Sequence, residues 1–215
     1  MLRRHLPALA LAALIPLASC NRKPVPGIAR GEALFVTCGK CHGDNGEGDQ
    51  RLAAPAIGGL PAWYVEAQLA GFMQAHRGYD PFDTTGIRMK SVAWTLDRDG
   101  DIASVAEYVA SLNPGRAPAT LRADATAGAA AFQTCAACHG ANAEGNQDLH
   151  APPLAGRSDW YLLSQLQKFK RGWRGARSDD LWGQTMRAQA MALDDSAMHN
   201  VIAYIATLGA EAAAR

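Results

Sequence analysis

The chain lacks a charge imbalance: 21 Lys and Arg stand against 20 Asp and Glu, a formal net charge of +1. That excludes the strongly basic surface by which proteins hold nucleic acid. It also lacks a long hydrophobic run. The apolar stretch Leu6 to Leu17 falls short of the roughly 20 residues a membrane-spanning helix needs. No segment alternates apolar and polar residues as a half-buried strand does, so the fold class read from the residues is all-α. Cysteine is scarce, with five in 215 residues, and four of the five fall into two identical arrangements.

Those arrangements are Cys38-Gly39-Lys40-Cys41-His42 and Cys135-Ala136-Ala137-Cys138-His139. In an exported protein CxxCH is the attachment signature for c-type haem: two cysteine sulfurs bond the porphyrin and the next histidine ligates the iron. Spacing explains the pattern, because two cysteines three apart reach the porphyrin edge from one turn of chain. The competing readings are a zinc half-site, a redox pair or a disulfide. A zinc site would have to draw its ligands from both motifs, and a redox CxxC normally sits beside a βαβ pattern that is absent here. Two motifs therefore predict two covalently bound haem c groups, held by Cys38, Cys41, Cys135 and Cys138, with His42 and His139 on iron.

Counterparts recur 97 positions apart: Gly31 and Gly128, Phe35 and Phe132, Gly43 and Gly140, Pro55 and Pro152, Trp63 and Trp160, Tyr64 and Tyr161, Gln68 and Gln165, Phe72 and Phe169, Met89 and Met186. One residue is lost after Leu96 and Leu193, so Tyr108 pairs with Tyr204. A period this long marks a duplicated domain, since solenoid repeats run to roughly 20 to 50 residues. Each unit has a thin apolar core for its size, which a buried haem would complete.

The expected organisation is an export signal over 1–20, a tether over 21–26, a first domain over 27–112, a linker over 113–126 and a second domain over 127–211. Residues 1–20 carry Arg3 and Arg4, an apolar run and then small residues, the layout of a secretory signal. The ending Leu17-Ala18-Ser19-Cys20 resembles the bacterial lipobox, which makes Cys20 the site of lipidation. The expected location is the periplasm, with membrane attachment through that lipid. Pro114, Gly115 and Pro118 mark the linker. Three helices are expected in each domain: about Ile28 to Thr37 and its copy from Ala125 to Thr134, a second from near Pro61, and a third through Ile102 to Leu112 or Met198 to Leu208, with Gly209 as its stop. The first and third should cross at Gly31 and Gly128, with Phe35 and Phe132 facing Tyr108 and Tyr204.

The second axial ligands are expected to be Met89 and Met186, which keep the repeat register seven residues before Leu96 and Leu193. Met73 competes in the first unit and Met191 or Met198 in the second; between Met186 and Met191 the choice stays open. Histidine and methionine together fill the iron and raise its potential, which suits electron transfer. Pro55 and Pro152 should place a backbone carbonyl on the Nδ1 hydrogen of each haem histidine. His5, His76, His150 and His199 lack counterparts and read as surface or signal residues. The basic run Lys168, Lys170, Arg171, Arg174 and Arg177 reads as a solvated face or, more sharply, a docking patch for an acidic redox partner.

The stretch Gly31 to Gly43, the downstream proline and glycine, and the methionine ahead of a Leu-Asp helix start resemble class I cytochromes c. The tandem arrangement is similar to the dihaem cytochrome c4 family over nearly all of Gly27 to Leu208. That resemblance implies two class I cytochrome c domains related by a pseudo-twofold axis, with haem propionates close together. It implies an electron carrier at the periplasmic membrane face, with a quinol-oxidising complex or a dehydrogenase as donor and a terminal oxidase as acceptor. A close variant is the cytochrome subunit of a periplasmic dehydrogenase. A dihaem peroxidase-type enzyme would instead need a displaceable axial ligand.

Overall fold

The computed structural model describes residues 27–96 and 98–212; the export signal, the tether and Cys20 lie outside the described residues. Four helices form each domain: α1 (Ile28–His42), α2 (Ala62–Met73), α3 (Thr84–Ala93) and α4 (Asp101–Ser111), then α5 (Ala125–His139), α6 (Asp159–Lys170), α7 (Leu181–Met191) and α8 (Asp195–Ala212). Among the described residues there is no strand, only the isolated bridges Asp49 to Ala54 and Asn146 to Ala151 that pinch the loop after each CxxCH.

The first and last helices of each domain cross where the glycines stand. A Cβ on Gly31 would lie 1.9 Å from the carbonyl oxygen of Ser104, and one on Gly128 would lie 1.9 Å from that of Asn200. Only a residue without a side chain lets the backbones approach this closely. The rings of Phe35 and Tyr108 then meet at 5.2 Å and those of Phe132 and Tyr204 at 5.4 Å, within the range favoured by aromatic pairs. Val105 and Val109 extend the first core towards Val65, Leu69 and Phe72 of α2. Met198, Val201, Ile202 and Ile205 line the second, beside Leu163 of α6.

Several expectations change. Helix α1 does not stop at Thr37 but continues through the motif to His42, as α5 does to His139. The helices α3 and α7 were not legible: neither sequence carries a wide apolar stripe. Each starts instead from an aspartate cap, Asp83 or Asp180, whose carboxylate accepts the N–H of Gly86 or Gly183 at 2.9 Å, satisfying a donor the helix itself cannot. Gly209 is no stop, because α8 runs on to Ala212. The lost residue is absorbed between Leu193 and Asp195, where α8 starts at once. Its counterpart α4 waits for Gly100, whose φ of 84° turns the chain.

Nor is the linker a free tether. Asp159, at the start of α6, accepts the N–H groups of Thr120 and Leu121 at 2.5 and 2.7 Å and the Thr120 hydroxyl at 2.7 Å. Burial works against ionisation of Asp159, but these donors prevail and hold its carboxyl below the ordinary carboxylate value.

Candidate functional site

In the first domain the last turn of α1 carries Cys38 and Cys41, both partly buried and unbridged, with His42 closing the helix. The chain then loops back so that the carbonyl of Pro55 accepts from His42 Nδ1 at 2.8 Å. That contact fixes the tautomer and leaves Nε2 as the ligating nitrogen. Burial pushes the His42 pKa down, against the Pro55 contact and with help from Arg88, so the ring is neutral and keeps a lone pair for a metal. Helix α3 brings Met89 to the same place. His42 and Met89 share one cavity of about 310 Å³, walled by Leu60, Val65, Leu69 and Phe72. An adjoining hollow is lined by Cys38, Cys41, His42 and Met89 together with Val105 and Val109 of α4.

The second domain repeats the held imidazole and the place of the methionine in its helix. His139 Nδ1 donates to Pro152 O at 2.8 Å, and burial lowers its pKa too. Met186 is the sixth residue of α7, as Met89 is of α3, and is likewise half-buried. Burial pushes the Cys38 and Cys135 thiols up, which keeps them protonated at neutral pH. The competing methionines lie elsewhere. Met191 ends α7 and is 58% exposed, Met198 is wholly buried in the second core, and Met73 packs against the first.

Between the domains lies a reciprocal polar network that the sequence reading missed. Arg77 donates to Gln68 of its own domain at 2.7 Å and to Gln165 and Tyr161 of the other, both at 3.2 Å. Arg174 mirrors it, donating to Gln165 at 2.8 Å and across to Gln68 at 3.2 Å. Each guanidinium also lies 4.2 Å over a phenylalanine ring, Phe72 or Phe169, a cation–π contact. Arg77 and Arg174, Gln68 and Gln165, and Tyr161 with its twin Tyr64 obey the 97-residue offset, so the signal was present. Arg174 reads instead as part of a solvated or docking face, because a repeat does not say which of its residues face the other copy.

The basic run is not one surface. Lys168 and Arg174 are buried at the junction; Lys170 donates to Leu193 O at 2.5 Å and Arg177 pairs with Asp179. Of the unmatched histidines, His76 is a half-buried interface residue, while His150 is exposed as expected although it touches the other domain. His76 reaches Asp179 of the other domain at 3.4 Å, and His150 stacks on Trp182 at 4.6 Å with Trp63 at its edge. His199 is half-buried and donates to Asp195 O.

These residues fit haem c. The first site offers two thiols, a neutral imidazole held from behind and a thioether around an apolar cleft, and the second repeats the thiols, the held imidazole and the methionine's place in its helix. Among the described residues neither Arg77 nor Arg174 forms an ion pair, although both are buried, and Arg77 Nε is without a partner. Unpaired buried guanidinium groups are costly, and the propionates of a haem are the anions that would relieve them.

Residues 28–113 and 125–209 each match the cytochrome c family. The chain belongs to that family. As a tandem cytochrome c it binds two covalent haem c groups and transfers electrons. It is 29% identical to the thiosulfate dehydrogenase electron acceptor of Stutzerimonas stutzeri, over 81% of this chain and 80% of that one. Among solved structures it is similar to thiosulfate dehydrogenase from Marichromatium purpuratum, with 31% identity and a TM-score of 0.69, covering 84% of this chain but 40% of that one. It is also similar to cytochrome c4 of Acidithiobacillus ferrooxidans, with 28% identity and a TM-score of 0.67, over 80% of this chain and 99% of the other.

Proposed function

We propose that this cytochrome accepts electrons from a periplasmic dehydrogenase of the thiosulfate-oxidising kind and passes them to a terminal oxidase. The observation that carries it is the pairing of two haem motifs in one chain that is alike over four-fifths of its length to an electron acceptor of that dehydrogenase. A dehydrogenation releases two electrons, and two one-electron sites in one chain take both. When bound, each haem supplies an iron that changes oxidation state by one electron.

The chain's own residues do the rest. Cys38 and Cys41, and Cys135 and Cys138, anchor the porphyrin edges. His42 with Met89, and His139 with Met186, would hold the two irons. Pro55 and Pro152 aim the imidazoles, and the apolar walls keep water away so that little reorganises when the charge changes. Full coordination is the reason we read an electron carrier and not a peroxidase-type enzyme.

The test mixes oxidised holoprotein with a purified thiosulfate dehydrogenase and thiosulfate in a stopped-flow spectrometer. Both haems should reduce at the rate of enzyme turnover. Reduction only by a quinol-oxidising complex would overturn the assignment of donor while leaving the carrier role intact. We place the protein in the periplasm with a lipid on Cys20; among the described residues no helix is long and apolar enough to cross a membrane. Cys20→Ser should release the protein from the membrane fraction, and retention there would refute the anchor.

A further inference from the structure

The duplication permits each haem site to be compared with its twin position by position, and the cations around the two do not match. Lys168 of the second domain crosses the junction and lines the cavity that holds His42 and Met89 and that Pro152, Leu154 and Tyr161 of its own domain also line. Its Nζ lies 2.7 Å from Asp83 and 2.6 Å from the Thr85 hydroxyl, at the cap of the helix that carries Met89. Arg157 crosses as well, lining the same cavity and donating to the carbonyls of Gly58 and Gly59 at 3.0 and 3.4 Å. Arg88, in the first domain itself, lines the adjoining hollow with Cys38 and Cys41, but it is exposed and therefore screened. The twin positions 97 residues away are Gly71, Leu60 and Thr185, all uncharged.

Charges common to both sites cancel in this comparison. Asp83 has its twin in Asp180 and Arg77 has its twin in Arg174, so the capping carboxylate exists on both sides and only one is neutralised by a lysine. The remaining cations of the second domain's basic run are spent elsewhere. Lys170 is held by Leu193 O and lies 3.8 Å from Asp195, Arg177 is paired with Asp179, and Arg171 is exposed over the Trp173 ring. Carboxylates of the first domain such as Glu32, Asp44, Glu47, Asp99 and Glu107 are exposed. Water and salt screen such charges, whereas Lys168 is buried with 11% of its side chain accessible and acts through a medium of lower effective dielectric.

We propose that the first domain's haem is the stronger electron acceptor of the two, and that Lys168, contributed by the second domain, sets the difference. A fixed positive charge favours the state with one more electron. A protein given one electron by an external reductant therefore holds it in the first domain, and the second domain is the one left open to donate or receive next. This requires the two haems but not any particular donor.

The experiment is a stepwise redox titration of the purified dihaem protein, followed by absorbance and by the NMR methyl signals of the axial methionines, assigned with Met89→Ala and Met186→Ala. In the unmodified protein the first-domain signals should convert first. Lys168→Gln removes the charge and keeps a hydrogen-bonding group; it should weaken electron binding at the first haem about tenfold, equivalent to about 59 mV for one electron, with the second haem unmoved. Lys168→Arg keeps the charge and should restore the separation, which also separates electrostatics from damage to the fold. If the second haem is reduced first in the unmodified protein, or if Lys168→Gln moves both haems equally, only the second or neither, the proposal is wrong.

Discussion

The first domain ties α1 to α4 with a charged clasp: Arg30 reaches Asp101 at 2.9 Å, with Asp101 almost wholly buried. The second domain makes the same crossing without it, since Ala127 stands at the position of Arg30. What the two share is the glycine contact, the aromatic pair and one tie from the helix start. In the first domain that tie is Gly27 N–H to the Ser104 hydroxyl at 3.1 Å. In the second it is Asp124 N–H to the Asn200 side chain, also at 3.1 Å. The shared features define the crossing and the clasp is a local addition. The same distinction separates haem binding, which is duplicated, from its electrostatic setting, which is not.

The hardest test of the equivalence of the sites is ligand removal. Met89→Ala and Met186→Ala should each open one iron to carbon monoxide and lower that haem's potential while the covalent haem stays, and an unchanged spectrum in either variant would refute that ligand. Next come the crossings. Gly31→Ala and Gly128→Ala should each destabilise their own domain by about 3 kcal/mol, because a methyl group must displace backbone. Denaturant unfolding read at each haem would show it, and a cost in one domain only would break the parallel.

The clasp should give a smaller and one-sided effect. Arg30→Ala is expected to cost the first domain about 2 kcal/mol, since it strands a buried carboxylate, with no change in the second. The smallest effect belongs to the linker. Asp159 has a lowered folded-state pKa, so its stabilisation is complete above the unfolded value of about 3.9 and disappears as pH falls through the folded one. Asp159→Asn should therefore lower stability by about 1 kcal/mol at neutral pH and make no difference in strong acid. Thermal scans across that range would reveal a constant gap if the carboxylate were irrelevant.

Much of this was legible from the chain, for reasons particular residues make plain. The haem motifs are short and contiguous because thioether chemistry fixes the spacing of Cys38, Cys41 and His42. The crossing helices announce themselves through apolar periodicity and through a glycine and a phenylalanine repeated in register. Helices α3 and α7 escaped notice because their stability comes from Asp83 and Asp180 caps and from the cleft they cover, with little apolar patterning of their own.

By itself the sequence settles what the protein holds and how many times: covalent attachment needs neighbours along the chain, and duplication is recorded residue by residue. Only the tertiary structure decides that Arg77 and Arg174 reach across to each other's glutamine, that His76 turns towards the other domain, and that Lys168 serves the site of the other domain. Those outcomes turn on which faces two similar bodies press together. Burial and dielectric arise from atoms distant in the chain, and no local pattern of residue types encodes them.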